Sequence, residues 1–144
     1  MRVVLDTNVF VSAFLWHGPS KDIFVLAERG AIILCATQEM LEEFERVLAY
    51  QKFRERLRAL GKTPGDIITE FLEVVAWYPS FAFPEPVVAA DPSDDMFLAC
   101  ALAAKASCII SGDRHLLRLK TFSGIAIVSP RQFLTTIKRS RNIN

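Results

Sequence analysis

Short apolar runs alternate with helix-length segments along the whole chain, and this alternation constrains the fold more than any other feature. The runs are Val3-Val4-Leu5, Ala31–Cys35, Val74–Trp77, Cys108-Ile109-Ile110 and Ile125–Val128. Each is rich in apolar and β-branched residues and too brief for a helix, which is how buried strands read. Between them the pattern predicts helices at 20–29, 37–50 and up to Leu60, followed by 64–73, 91–105, a short one after Asp113, and one opening at Ser129-Pro130. Ser20, Thr37, Thr63 and Asp91 are natural caps, and Pro64, Pro92 and Pro130 suit first helical positions. Pro79–Pro86, with three prolines, predicts a loop. Strands separated by helices imply parallel pairing through right-handed crossovers. The expected fold is α/β: a three-layer α/β/α sandwich with a central parallel sheet of about five strands.

A length of 144 residues suits one domain, 1–144, with a flexible basic tail expected at 138–144. Mean hydropathy is high at +0.27, yet charges interrupt every apolar run well short of the ~18 residues a membrane span needs. Met1-Arg2 leads straight into the first strand, so no signal peptide is expected. Cys35, Cys100 and Cys108 form no CxxC pair and sit among apolar neighbours, as buried free thiols do in a reducing compartment. A cytoplasmic protein with no membrane partner is the expectation.

The net charge is only +1, but it is unevenly spread. Residues 114–144 carry seven Lys or Arg and no acid; residues 46–62 carry six against Glu55 alone. Acids concentrate at 39–45 and 91–95. Such a split suits a polyanion held around a small acidic centre, although solvated helix faces explain many charge runs equally well. Arg54, Arg56, Arg58, Lys138, Arg139 and Arg141 are the candidate nucleic-acid contacts.

Asp6 directly follows the first strand and Asp113 follows the fourth in Ile109-Ile110-Ser111-Gly112-Asp113. Ligands of open α/β sheets bind outside the carboxyl ends of strands, where both acids fall. On the 37–50 helix, Met40, Leu41, Phe44, Val47 and Leu48 form the apolar stripe. At about 100° per residue Glu42 lies opposite it, whereas Glu43 and Glu45 border it and remain the alternatives for a site residue. Asp95 shares a face with Leu98, Ala99 and Leu102. An acid on a buried face must be paired or bind a cation, which makes Asp95 the stronger candidate and Asp94 the alternative. Converging carboxylates repel unless a cation compensates, and an all-oxygen set suits Mg²⁺ or Mn²⁺. Zinc would want His or Cys, and only His17 and His115 are present. No serine- or cysteine-hydrolase constellation stands out.

Leu5-Asp6-Thr7-Asn8-Val9, Leu41-Glu42-Glu43-Phe44, the block from Asp91-Pro92-Ser93-Asp94-Asp95 to Ala99, and Ser111-Gly112-Asp113-Arg114-His115 stand in the order of a PIN domain. The chain resembles that family over nearly its whole length, most closely its VapC-like toxin components of toxin–antitoxin systems. The resemblance implies a metal-dependent ribonuclease with Asp6, Glu43, Asp95 and Asp113 as its acids. Asn8 and Ser111 would support them, and Asp94 matches a further acid of the subgroup. Asp6, Asp95 and Asp113 would hold Mg²⁺ or Mn²⁺, with RNA as substrate. An antitoxin protein and a second copy in a homodimer are the partners it brings into view. Two other classes compete: a PIN-like binding module without turnover, and a Mg²⁺-dependent phosphatase-like enzyme with Asp6 as nucleophile. The latter usually has a second Asp two residues on, where this chain has Asn8.

Overall fold

The computed structural model describes residues 1–143 and side chains as far as Ser140; Asn144 and the side chain of Arg141 lie outside the described residues. Six strands, β1 (Arg2–Leu5), β2 (Ile33–Ala36), β3 (Ala76–Trp77), β4 (Cys108–Ile110), β5 (Thr121–Phe122) and β6 (Ile125–Val128), form one sheet in the order β3-β2-β1-β4-β6-β5. All neighbours pair in parallel except β5 and β6. The helices are α1 (Thr7–Leu15), α2 (Pro19–Glu28), α3 (Gln38–Leu48), α4 (Arg54–Leu60), α5 (Pro64–Val74), α6 (Asp95–Ala104), α7 (Arg114–Leu117) and α8 (Pro130–Ile143). They flank the sheet in the expected α/β/α layering. The expected basic tail continues α8 as far as Ile143.

Three differences from the sequence reading matter. Helix α1 differs from that reading: Val9, Phe10, Val11, Ala13, Phe14 and Leu15 are all buried and leave only the narrow strip of Asn8 and Ser12 to reveal a period. Strand β5 has two residues, too few for any alternation, and makes the sheet six-stranded with an antiparallel edge. The helix expected from Asp91 divides into a 3₁₀ turn, Pro92–Asp94, followed by α6.

From β1 the chain moves outward to β2 and β3, then returns to place β4 on the other side of β1, with Leu5 opposite Ile110. The strand order therefore reverses between β1 and β4, and a crevice opens at their carboxyl ends. The walls are fixed by the core. Phe10, Phe44 and Phe71 meet with ring centroids 5.0–5.6 Å apart, locking α1 to α3 and α5. Helix α6 packs against β1, β2 and β4.

Candidate active site

Asp6 caps α1 as well as ending the strand before it. One carboxylate oxygen, Oδ1, accepts from the Val9 N–H at 2.9 Å; Oδ2 accepts from the Ser111 hydroxyl and from the Gly112 N–H at 3.2 Å. Ser111, fully buried, also accepts from the Asp113 N–H at 2.9 Å, so its hydroxyl joins the acid of β1 to the acid beyond β4. Asp113 in turn caps α7, its Oδ1 accepting from the N–H groups of His115 (2.6 Å) and Leu116 (3.4 Å). The N-cap role natural to both aspartates is thus real, and it aims them at one crevice.

Glu43 completes a third wall from α3. Its Oε2 accepts from the Thr7 hydroxyl, and Arg46 approaches its Oε1 at 3.9 Å from a solvent-exposed position. Glu42 and Glu45 are exposed, so Glu43 is the glutamate on this helix that reaches the crevice.

The fourth wall corrects the reading of Asp95. Its Oδ2 accepts from the Val87 N–H at 2.9 Å and its Oδ1 from the Val88 N–H at 2.8 Å, away from the other acids. The premise that this carboxylate had to be paired holds; its partners are backbone amides of the preceding loop. Asp94, at the end of the 3₁₀ turn, faces the crevice instead. The tighter winding of that turn shifts the helical phase, and α6 is buried on nearly every side, so no polar face in the sequence could reveal the shift.

Asp6, Glu43, Asp94 and Asp113 therefore line one hollow of about 130 Å³, with Thr7, Asn8, Asp91 and Ser93 on its rim. Thr7 was not singled out in the sequence, and Asp91 was read only as a cap. That cap is present: Asp91 Oδ1 accepts from the Ser93 N–H at 3.2 Å and from its hydroxyl at 2.5 Å. Burial raises the Asp94 carboxyl to about 7, reinforced by the charges of Asp113, Asp91, Asp6 and Glu43. Burial likewise raises Asp6 to about 6, against the lowering effect of its three hydrogen bonds.

The residues fit a hard divalent cation. Asp94 Oδ2 is buried and has no hydrogen-bond partner, a vacancy in coordination that a cation would fill. All the donors are oxygens. Among the described residues no three His, Cys, Asp or Glu side chains stand close enough together to hold a metal ion as they are placed.

The basic candidates do not form one surface. Arg56 donates from Nε to the Leu15 carbonyl at 2.5 Å and lies 5.9 Å from the centre of the Trp16 ring; Lys52 and Arg58 line the same hollow, and Arg54 does not. Lys138 lines a cleft between α8 and α2 beside Asp22, whereas Arg139 lines a different groove on α8.

A family model described as PIN domain matches residues 2–115. Among solved structures, one chain of the crystal structure of VapBC2 from Rickettsia felis, bound to a DNA fragment from their promoter, superposes with a TM-score of 0.57. The match covers 88% of this chain and 97% of that one at 13% identity, a likeness of fold. No curated protein matches significantly.

Proposed function

The chain belongs to the PIN-domain family, and from that premise we propose that it is a metal-dependent endoribonuclease acting as the toxin of a toxin–antitoxin pair. One observation carries the reading: five carboxylates, Asp6, Glu43, Asp91, Asp94 and Asp113, from four separate parts of the chain line one hollow at the reversal point of the sheet. An acidic hollow repels a phosphodiester unless a cation stands between them, and Asp6, Asp94 and Asp113 are the residues proposed to hold Mg²⁺ or Mn²⁺. Bound there, the cation supplies Lewis-acid polarisation of the phosphate and a lowered pKa for the attacking water.

The chain's own side chains do the positioning. Ser111 ties the two strand ends together by donating to the Asp6 carboxylate and accepting from the Asp113 backbone N–H, while the cap bonds from His115 and Leu116 hold the Asp113 carboxylate. Thr7 holds Glu43 at the edge of the hollow, where its carboxylate orients the water that adds across the P–O3′ bond. Asp94, with its unpartnered oxygen, replaces Asp95 in the proposed ligand set. Asp6 is 4% exposed and both its oxygens accept hydrogen bonds, which suits a held ligand better than the phosphatase-like nucleophile.

The fold likeness to a VapBC2 chain supports an antitoxin protein as partner. A cytoplasmic setting agrees with an RNA substrate and with three free, buried cysteines, of which burial pushes Cys100 and Cys108 up to about 12. No helix among the described residues is long and apolar enough to cross a membrane. The test is incubation of end-labelled single-stranded RNA with the purified protein in Mg²⁺, in Mn²⁺ and in EDTA. Internal cleavage in either metal and none in EDTA is expected. Intact RNA under every condition, with a folded protein, would overturn the nuclease assignment.

A further inference from the structure

Beside the crevice lies a second feature, larger and of opposite charge. A groove of about 790 Å³ runs between α8 and the segment that follows α7, and Lys120, Arg131 and Arg139 line it. Arg131, Thr135 and Arg139 recur every four residues, so they form one stripe along α8. The opposite face of the helix, with Phe133, Leu134 and Ile137, packs inward. Neither of the two ion pairs among the described residues involves the three cations, and the sequence from 114 onward contains no acid to neutralise them.

The groove is joined to the crevice. It begins at Val128 and Ser129, at the carboxyl end of β6, and the Ser111 N–H donates to the Val128 carbonyl at 2.9 Å. Only α7 separates it from Asp113, and four helical residues span about 6 Å. The other basic cluster is less suited. It lies at the far end of α1 from Asp6, contains Glu55, and has Arg56 already engaged with a backbone carbonyl.

We infer that this groove is a phosphate-backbone track for single-stranded RNA, along which a strand whose scissile bond occupies the crevice continues past α7 and along α8. The inference rests on the ribonuclease reading and adds to it a substrate-binding surface remote from the chemistry. Phosphate contacts release counterions, so each one leaves its mark on the salt dependence of binding.

The test measures binding of a long fluorescent single-stranded RNA in EDTA, where it stays intact, as a function of salt. The proteins are the wild type, Arg131→Ala/Arg139→Ala, Lys120→Ala and, as a control at the end of α6 far from the crevice, Lys105→Asn. The double variant should lower affinity and flatten the log–log salt slope by about 1.4, some 0.7 for each lost contact to a single strand. Lys120→Ala, which leaves α8 untouched, should flatten it by about half as much, and Lys105→Asn should match the wild type. In Mg²⁺ the double variant should cleave the long RNA with a raised KM and an unchanged kcat, and cleave a tetranucleotide as the wild type does. Wild-type affinity and slope in both groove variants would overturn the track, whether or not RNA is cleaved. A flattened slope with no cleavage by any protein would keep the track and overturn the nuclease reading. Tighter binding of duplex DNA than of RNA, lost in the same variants, would overturn RNA as the occupant.

Discussion

Asp94 and Asp95 are adjacent, chemically identical and differently used. One has a buried oxygen with no partner; the other spends both oxygens on backbone amides. Asp94→Asn should therefore reduce Mg²⁺-dependent cleavage at least ~10²-fold while leaving the melting temperature in EDTA unchanged or higher, because it removes a repelling charge. Asp95→Asn should do the reverse. Its amide nitrogen would face a backbone N–H, so roughly 1–3 kcal/mol of stability should be lost while the metal response persists. Cleavage assays and thermal melts on the two variants decide it, and equal effects would refute the division of labour. The raised carboxyls also give the metal-free protein a pH signature. With folded values of about 6 for Asp6 and about 7 for Asp94, the folded state binds protons more tightly than the unfolded chain. That contribution is complete below the unfolded value, near 4, and is lost as pH rises through 6 to 7. In EDTA the protein should gain melting temperature between about pH 8 and about pH 5 relative to Asp94→Asn, which should show a flatter profile. A steeper profile in the variant would remove Asp94 as the titrating group.

At the scale of elements, the sequence revealed best what was polar on one side. The 37–50 helix has a clear stripe, so the exposure of Glu42 and the border position of Glu43 could be read from spacing. The strands before Asp6 and Asp113 could be read because each short apolar run gives way to polar residues and an acid within three positions. In α1 only Asn8 and Ser12 interrupt the buried surface, too narrow a contrast to reveal a period, and in α6 the buried surface from Met96 to Ala101 concealed a phase that the 3₁₀ turn had shifted. A buried helix takes its rotation from its tertiary neighbours, and single-chain periodicity does not contain them. Ser111 is where two elements are tied at their ends. Ser111→Ala should leave Asp6 and the Asp113 N–H each short of a partner, costing about 1–3 kcal/mol and lowering kcat more than it raises KM. Unchanged stability and turnover would show that the hydroxyl bridge is dispensable.

Across the whole molecule, the sheet separates charge that nearly cancels in the sum. Acids gather at the reversal point and cations lie outside it, an arrangement suited to drawing a polyanion toward a cation held at the centre. An ion that binds only the folded crevice should stabilise the fold by about 2.7 kcal/mol at a hundred times its dissociation constant. Melts in Mg²⁺ and in EDTA should therefore differ for the wild type and converge for Asp94→Asn. A full Mg²⁺ shift in that variant would locate the ion elsewhere.

The hydroxyl bond from Ser111 to Asp6 spans 105 positions of chain. Protein synthesis delivers these two partners far apart in time: Asp6 is made 105 residues before the serine, and Asp113 follows the serine. Throughout that interval the growing polypeptide lacks Asp113, and β1 lacks its β4 neighbour. Chains released before Ser111 should accordingly leave RNA intact even in Mg²⁺, which a series of C-terminal truncations would test directly. Under the proposed ribonuclease reading the order of assembly acts as a safety catch: no nascent chain that stops short of Asp113 holds the complete crevice.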